Sequence, residues 1–169
     1  MGGYFLSIRR FYIAAVVLAA TAILASGCGG DSSANSAVQV ETGSLSKAEF
    51  VNQANAICNS ARTQFLSEYT AFYKKNEPKG EAETLKLLEE ATEKLVVPNY
   101  ETRMINRIAA LGAPEEVVPG VTDFVETVQQ QIKEIEDDPE LLTETAFPFK
   151  QSAGAAQAAG LKACANAFS

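Results

Sequence analysis

From Phe50 to Phe168, apolar residues recur at spacings of three and four, and no stretch alternates apolar with polar residues. That pattern confines the chain to helices that each bury one stripe, with proline and glycine deciding where each helix stops. The first stripe is Phe50, Ala54, Ile57, Ala61, Phe65, Tyr69 and Phe72. Ser46 with Glu49 forms a capping box and Leu45 with Phe50 its hydrophobic staple, so a helix runs from Ser46 to about Asn76 and stops at Glu77-Pro78-Lys79-Gly80.

A second stripe, Leu85, Leu88, Leu95 and Val96, continues beyond Pro98 as Tyr100, Met104, Ile108 and Leu111. The phase survives the proline, which predicts one long helix kinked at Pro98 and ended by Leu111-Gly112-Ala113-Pro114. The third helix opens at Glu115 and Glu116, carries Val117, Val121, Phe124, Val128, Ile132 and Ile135, and closes at Asp137-Asp138-Pro139. Asp138 then caps a fourth helix with Pro139 as its first residue; Phe147-Pro148-Phe149 interrupts it before an alanine-rich continuation to Phe168. Short connections complete the expectation: an all-α, antiparallel up-down-up-down four-helix bundle over residues 46–169, with proline-kinked second and fourth helices.

What precedes the bundle reads as an address. Arg9 and Arg10 lead into an apolar run from Phe11 to Leu24, and Leu24-Ala25-Ser26-Gly27-Cys28 has the form of a lipobox. The run is 14 residues long, short of the roughly 20 that a spanning helix needs. Cleavage at Ala25-x-Gly27 by an ordinary signal peptidase is the competing reading, and the cysteine directly after Gly27 favours the lipid. The paired arginines sit at the wrong spacing for a twin-arginine signal. Residues 1–27 are thus expected to be a signal peptide, with Cys28 carrying palmitate-class acyl chains. Residues 28–45, rich in Gly, Ser, Ala, Asn and Thr, are expected to be a flexible tether. This places the domain at the cell membrane, lipid-anchored on the extracytoplasmic side.

The chain has three cysteines, so acylation of Cys28 leaves Cys58 and Cys164 as an even pair in an oxidising compartment. In an up-down-up-down bundle the early part of helix one meets the late part of helix four, which is where the two lie. A disulfide between them is expected.

Composition removes many chemistries. There is no histidine and no tryptophan, which excludes the usual general base, the commonest zinc and copper ligand, and Ser-His-Asp catalysis. No phosphate-binding glycine loop is present, and no cofactor or metal is expected. With Arg9 and Arg10 removed, 12 basic face 21 acidic side chains, so nucleic acid is not an expected partner. Glu89, Glu90 and Glu93 read as a solvated stripe, Asp137 and Asp138 as helix-end residues. A candidate pocket is expected between the two proline levels, lined by Tyr100, Met104, Phe147 and Phe149. Arg103 and Arg107, one turn apart, are a candidate anion contact, with pairing to surface glutamates as the plainer reading. Tyr69, Phe72 and Tyr73 are expected to gather with Phe147 and Phe149 at one end of the bundle, as an aromatic cap on the core, with an exposed recognition patch as the competing reading.

Five segments resemble the uncharacterised small secreted lipoproteins of actinobacteria: Leu45-Ser46-Lys47-Ala48-Glu49-Phe50, Ala54-Asn55-Ala56-Ile57-Cys58, Val97-Pro98-Asn99, Leu111-Gly112-Ala113-Pro114 and Gly160-Leu161-Lys162-Ala163-Cys164. The resemblance implies lipidation, an extracytoplasmic location and a helical fold, and no activity. The residues together predict a membrane-anchored, non-enzymatic helical binding or envelope-associated module. The alternatives are a structural or adaptor protein docking on a membrane complex, and a histidine-free hydrolase. An adaptor calls for a packed interior and an apolar surface patch. A ligand binder calls for an apolar cavity between helices, and a hydrolase for buried acids of raised pKa in a cleft.

Overall fold

The computed structural model describes residues 37–143 and 148–168. The expected signal peptide, Cys28 and Phe147 lie outside the described residues. What is described is all-α, with a lone parallel bridge between Thr42 and Ala113 as its only extended pairing.

Helix α1 (Lys47–Lys75) starts at the predicted capping box: Glu49 N donates to Ser46 Oγ at 3.3 Å, and Ser46 N donates to Glu49 Oε2 at 3.0 Å. It ends where Asn76 Nδ2 donates to the Phe72 carbonyl at 2.9 Å, just ahead of Pro78. The next helical run has four parts. Helix α2 (Glu81–Ala91) passes into π-helical Thr92–Val96 and Pro98–Ile105, then into α3 (Asn106–Ala109), with Val97 at helical φ −58° and ψ −54° between the π segments.

The helix therefore passes through Pro98 in a widened turn. A π turn leaves room for the ring that an α turn would press against a carbonyl. The burial pattern shows why the widening extends beyond the proline. Leu88, Thr92, Val96, Tyr100, Met104 and Ile108 are all buried, every fourth residue in succession. In a pure α-helix each step of four overshoots by about 40°, so such a stripe would wander around the axis. Wider π turns fall short instead, and alternating the two keeps the stripe on the core.

Helix α4 (Val118–Asp137) begins later than Glu115 because Pro119 sits in its first turn, where its missing N–H costs nothing. Its expected stripe is buried throughout, from Val117 and Val121 to Ile132 and Ile135. The single kinked fourth helix is replaced by three pieces: a 3-10 turn at Pro139–Thr143, helix α5 (Lys150–Ala158) and helix α6 (Lys162–Ala167). Pro148 precedes α5 rather than bending a helix, and Gly160, at φ 78°, turns the chain between α5 and α6. That left-handed conformation suits glycine alone among these residues. Asp138 still caps, its Oδ1 accepting from Glu140 N at 3.1 Å.

The second half of the expected tether is docked on the domain. Glu41 N donates to the Ala109 carbonyl at 3.0 Å, Ala113 N to Glu41 O at 2.8 Å, and Gly43 N to Ala113 O at 2.9 Å. Val38, Val40 and Leu45 pack against the core. Gly43 lies so close to Gly112 that a Cβ on it would sit 2.6 Å from the Gly112 backbone. Between these elements lies one core, in which Phe50, Phe124, Phe168, Met104, Ile105 and Ile108 are fully buried.

Candidate functional site

The disulfide is formed as expected. Cys58 and Cys164, 106 residues apart in sequence, have their sulfurs at 1.99 Å and Cα atoms at 4.9 Å, and neither is exposed. Residues that sequence reading passed over hold the same region in register. Asn55 Oδ1 accepts from Ala163 N at 2.8 Å, capping α6, whose own N-cap residue Leu161 has no side chain to do so. Gln131, buried on α4, does the same for α5: its Oε1 accepts from Ser152 N at 2.9 Å and from Ser152 Oγ, and its Nε2 donates to the Pro148 carbonyl. Each short helix thus borrows its cap from another helix.

Three of the four residues expected to line a pocket lie in the core. Tyr100, Met104 and Phe149 are buried; the Tyr100 ring lies 4.5 Å from that of Phe149 and 5.1 Å from that of Phe168, with Phe149 and Phe168 5.3 Å apart. Burial raises the pKa of the Tyr100 phenol, against a smaller opposing pull from Arg62. Phe149 belongs to this core cluster, and among the described residues ring contacts join Tyr69, Phe72 and Tyr73 to it through Phe65, 5.4 Å from Tyr100. The two candidate anion-binding arginines also part company. Arg103 Nη1 donates to Glu68 Oε2 at 2.6 Å, tying α1 to the π-helical segment, and this bond holds the Glu68 pKa below its usual value. Arg107 is exposed and forms no ion pair among the described residues. The plainer reading, pairing with a glutamate, thus holds for Arg103.

Glu89 and Glu93 line a cleft of about 290 Å³ with Thr92, Val97, Glu136 and Pro139. The Glu136 pKa is raised, by burial first and then by the charges of Glu101 and Asp137. Glu136 is nevertheless exposed, and no described carboxylate is buried, so the described residues lack the paired buried acids a histidine-free hydrolase calls for. Glu90 pairs with Lys94 on the solvated face, which lowers its pKa. Among the described residues no group of side chains is arranged to hold a metal ion, and no helix is long and apolar enough to cross a membrane.

Asn99 stands apart. It is fully buried in the π-helical segment, and neither its Oδ1 nor its Nδ2 has a hydrogen-bond partner among the described residues. An orphaned buried amide costs about 1–3 kcal/mol. Asn99→Leu, which keeps the branched shape and removes the polar atoms, is expected to stabilise the fold by about 1–2 kcal/mol. The check is a higher urea midpoint at unchanged m; a lower midpoint would show that the amide is satisfied.

The surface feature with the clearest capacity to recognise something is the second half of α1. Buried residues of this helix end at Ala61, yet Phe65, Leu66, Tyr69, Phe72 and Tyr73 follow. Leu66 is 48% and Tyr69 43% exposed. The rings form a row, Phe65 to Tyr69 at 5.7 Å, Tyr69 to Tyr73 at 4.5 Å and Phe72 to Tyr73 at 5.4 Å. Partial burial and then the neighbouring Tyr69 push the Tyr73 pKa up to about 12. Against α1's outer side, Asn59, Ser60, Thr63, Gln64, Ser67 and Glu68 line a shallow polar depression. Comparison with protein-family models, curated proteins and solved structures returns no match, so the residues and their geometry carry the functional reading.

Proposed function

We propose that this chain is exported, loses residues 1–27, and is held on the extracytoplasmic side of the membrane by acyl chains on Cys28, where its helical domain docks protein. The adaptor reading is favoured over a small-molecule binder by one observation: the amphipathic pattern of α1 runs on past the core, and its apolar residues there are not buried. Tyr100 and Phe149, by contrast, are spent on ring-to-ring packing in the core. In this reading the domain is an up-down-up-down antiparallel bundle, bent at Pro98, whose fourth position is shared by the short helices α5 and α6. Docking of residues 37–45 shortens the tether to residues 29–36, so the domain sits within about 30 Å of its anchor.

The anchor has a direct test. One acyl chain binds membranes marginally and two bind stably. Cys28→Ala is expected to shift the protein from the membrane fraction to the soluble exported fraction, or to leave it as an unprocessed precursor. A mature-sized Cys28→Ala protein that stays with membranes would remove the lipid from the proposal.

A further inference from the structure

Arg62, Leu66, Tyr69 and Tyr73 follow one another at steps of four, three and four, the spacing of a coiled-coil seam. The seam lies about a quarter turn around α1 from the stripe that continues the core, Ala61, Phe65, Glu68 and Phe72. That inner stripe is engaged: the Phe65 ring meets that of Tyr100 at 5.4 Å, tilted by 45°, and Glu68 holds Arg103 at 2.6 Å. Among the described residues no ring contact or ion pair joins the seam to another element, and Arg62 acts on the buried Tyr100 phenol only through its charge.

We propose that the seam is covered by the same seam of a second copy of this chain, antiparallel, with the two-fold axis between Tyr69 and Thr70. The inference rests on the docking function above and names its partner. Charge selects the direction. In a parallel pair Arg62 meets Arg62 of the second copy. Antiparallel pairing sets Leu66 against Tyr73 of the second copy, brings the two Tyr69 rings together at the axis, and puts Arg62 beside Glu77 of the second copy. Symmetry makes the Leu66–Tyr73 and Arg62–Glu77 contacts twice and the Tyr69 contact once. Both Arg62 and Glu77 are exposed, and neither is in an ion pair among the described residues.

Size sets the strength. Fourteen helical residues, 62–75, span about 21 Å, and such a ridge offers less than the roughly 800 Å² per partner of a stable interface. The pair is accordingly weak between free molecules. Copies confined to one membrane meet at a higher effective concentration, and there it forms.

Thr63 and Thr70 make a matched pair of probes, because each is exposed and donates its hydroxyl to the carbonyl four residues back, at 2.9 Å and 2.8 Å. In the antiparallel pair the two copies of position 70 adjoin the axis, whereas those of position 63 are about 20 Å apart. Full-length Thr70→Cys, oxidised in its own membranes, is expected to form disulfide-linked dimers and Thr63→Cys none. Adding Arg62→Glu should abolish the Thr70→Cys dimer, and adding Arg62→Glu with Glu77→Arg should restore it. Dimers from both cysteines, from neither, or insensitive to the charge exchange overturn the proposal. A photo-cross-linking residue at position 69 separates this from the docking function itself. Adducts to another protein without Thr70→Cys dimers overturn self-pairing and keep docking; no adduct of any kind overturns both.

Discussion

Unfolding of the Cys58→Ala/Cys164→Ala protein is expected to need about 4–5 kcal/mol less than unfolding of the parent. The bridge spans 106 residues, and closing a loop of that length removes about 5 kcal/mol of chain entropy from the unfolded state, before any discount for native strain or residual structure. Single domains are commonly stable by only about 5–15 kcal/mol, so the loss is a large share of the total. Alanine is the right replacement because both side chains are fully buried, and serine would add unpaired hydroxyls to the core. Opening the loop also lets the unfolded chain expand, so the denaturant m-value should rise as the midpoint falls. The same burial protects the native bridge: reductant should act only after unfolding exposes it. A double variant within about 1 kcal/mol of the parent would mean that the denatured chain gains little freedom from losing the bridge.

Gln131→Leu is expected to cost about 3 kcal/mol and to act locally. It removes the acceptor of Ser152 N and Ser152 Oγ and the donor to Pro148 O, all at the start of α5. Because α5 has no side-chain cap of its own, nothing nearby replaces these bonds. Hydrogen exchange should accelerate across residues 148–158 and stay slow in α1 and α4. Ser152→Ala added to Gln131→Leu should cost less than the sum of the two, since the partners share one network. Uniform acceleration over the whole domain would show instead that α5 unfolds only with the rest.

How far the fold could be read from the residues depends on the range of the interaction concerned. The Ser46 and Glu49 box is closed within three residues, and it is formed as read. The stripe of α4 needs only helical geometry and an apolar face, and every expected residue is buried. The pairing of Cys58 with Cys164 was accessible because the count of cysteines and the order of helices left little choice. By contrast, Gln131 and Asn55 look like ordinary polar residues on a helix. Their roles arise from neighbours 17 to 21 and 108 residues away, and no local spacing encodes that. The π-helical segment did leave a trace. Val96, Tyr100, Met104 and Ile108 keep a step of four too long for an α-helix to hold on one face, and that step was the signal of underwinding.

Composition and hydrophobic period by themselves determined an all-α chain without histidine or tryptophan, the start of its first helix and the buried face of α4. These follow from short-range sterics and from residue types, which are the same in any fold. Only the tertiary structure decided that Pro98 is absorbed by a π turn, that the last helix breaks into α5 and α6, that Arg103 is committed to Glu68, and that Gly43 docks on Gly112. It also decided which apolar residues are surplus to the core. Phe65 and Leu66 are adjacent in sequence and similar in hydrophobicity, yet Phe65 finds the Tyr100 ring and Leu66 faces solvent. A helix has one inward direction at each level of the bundle, and which residue occupies it is set by the neighbours that pack there.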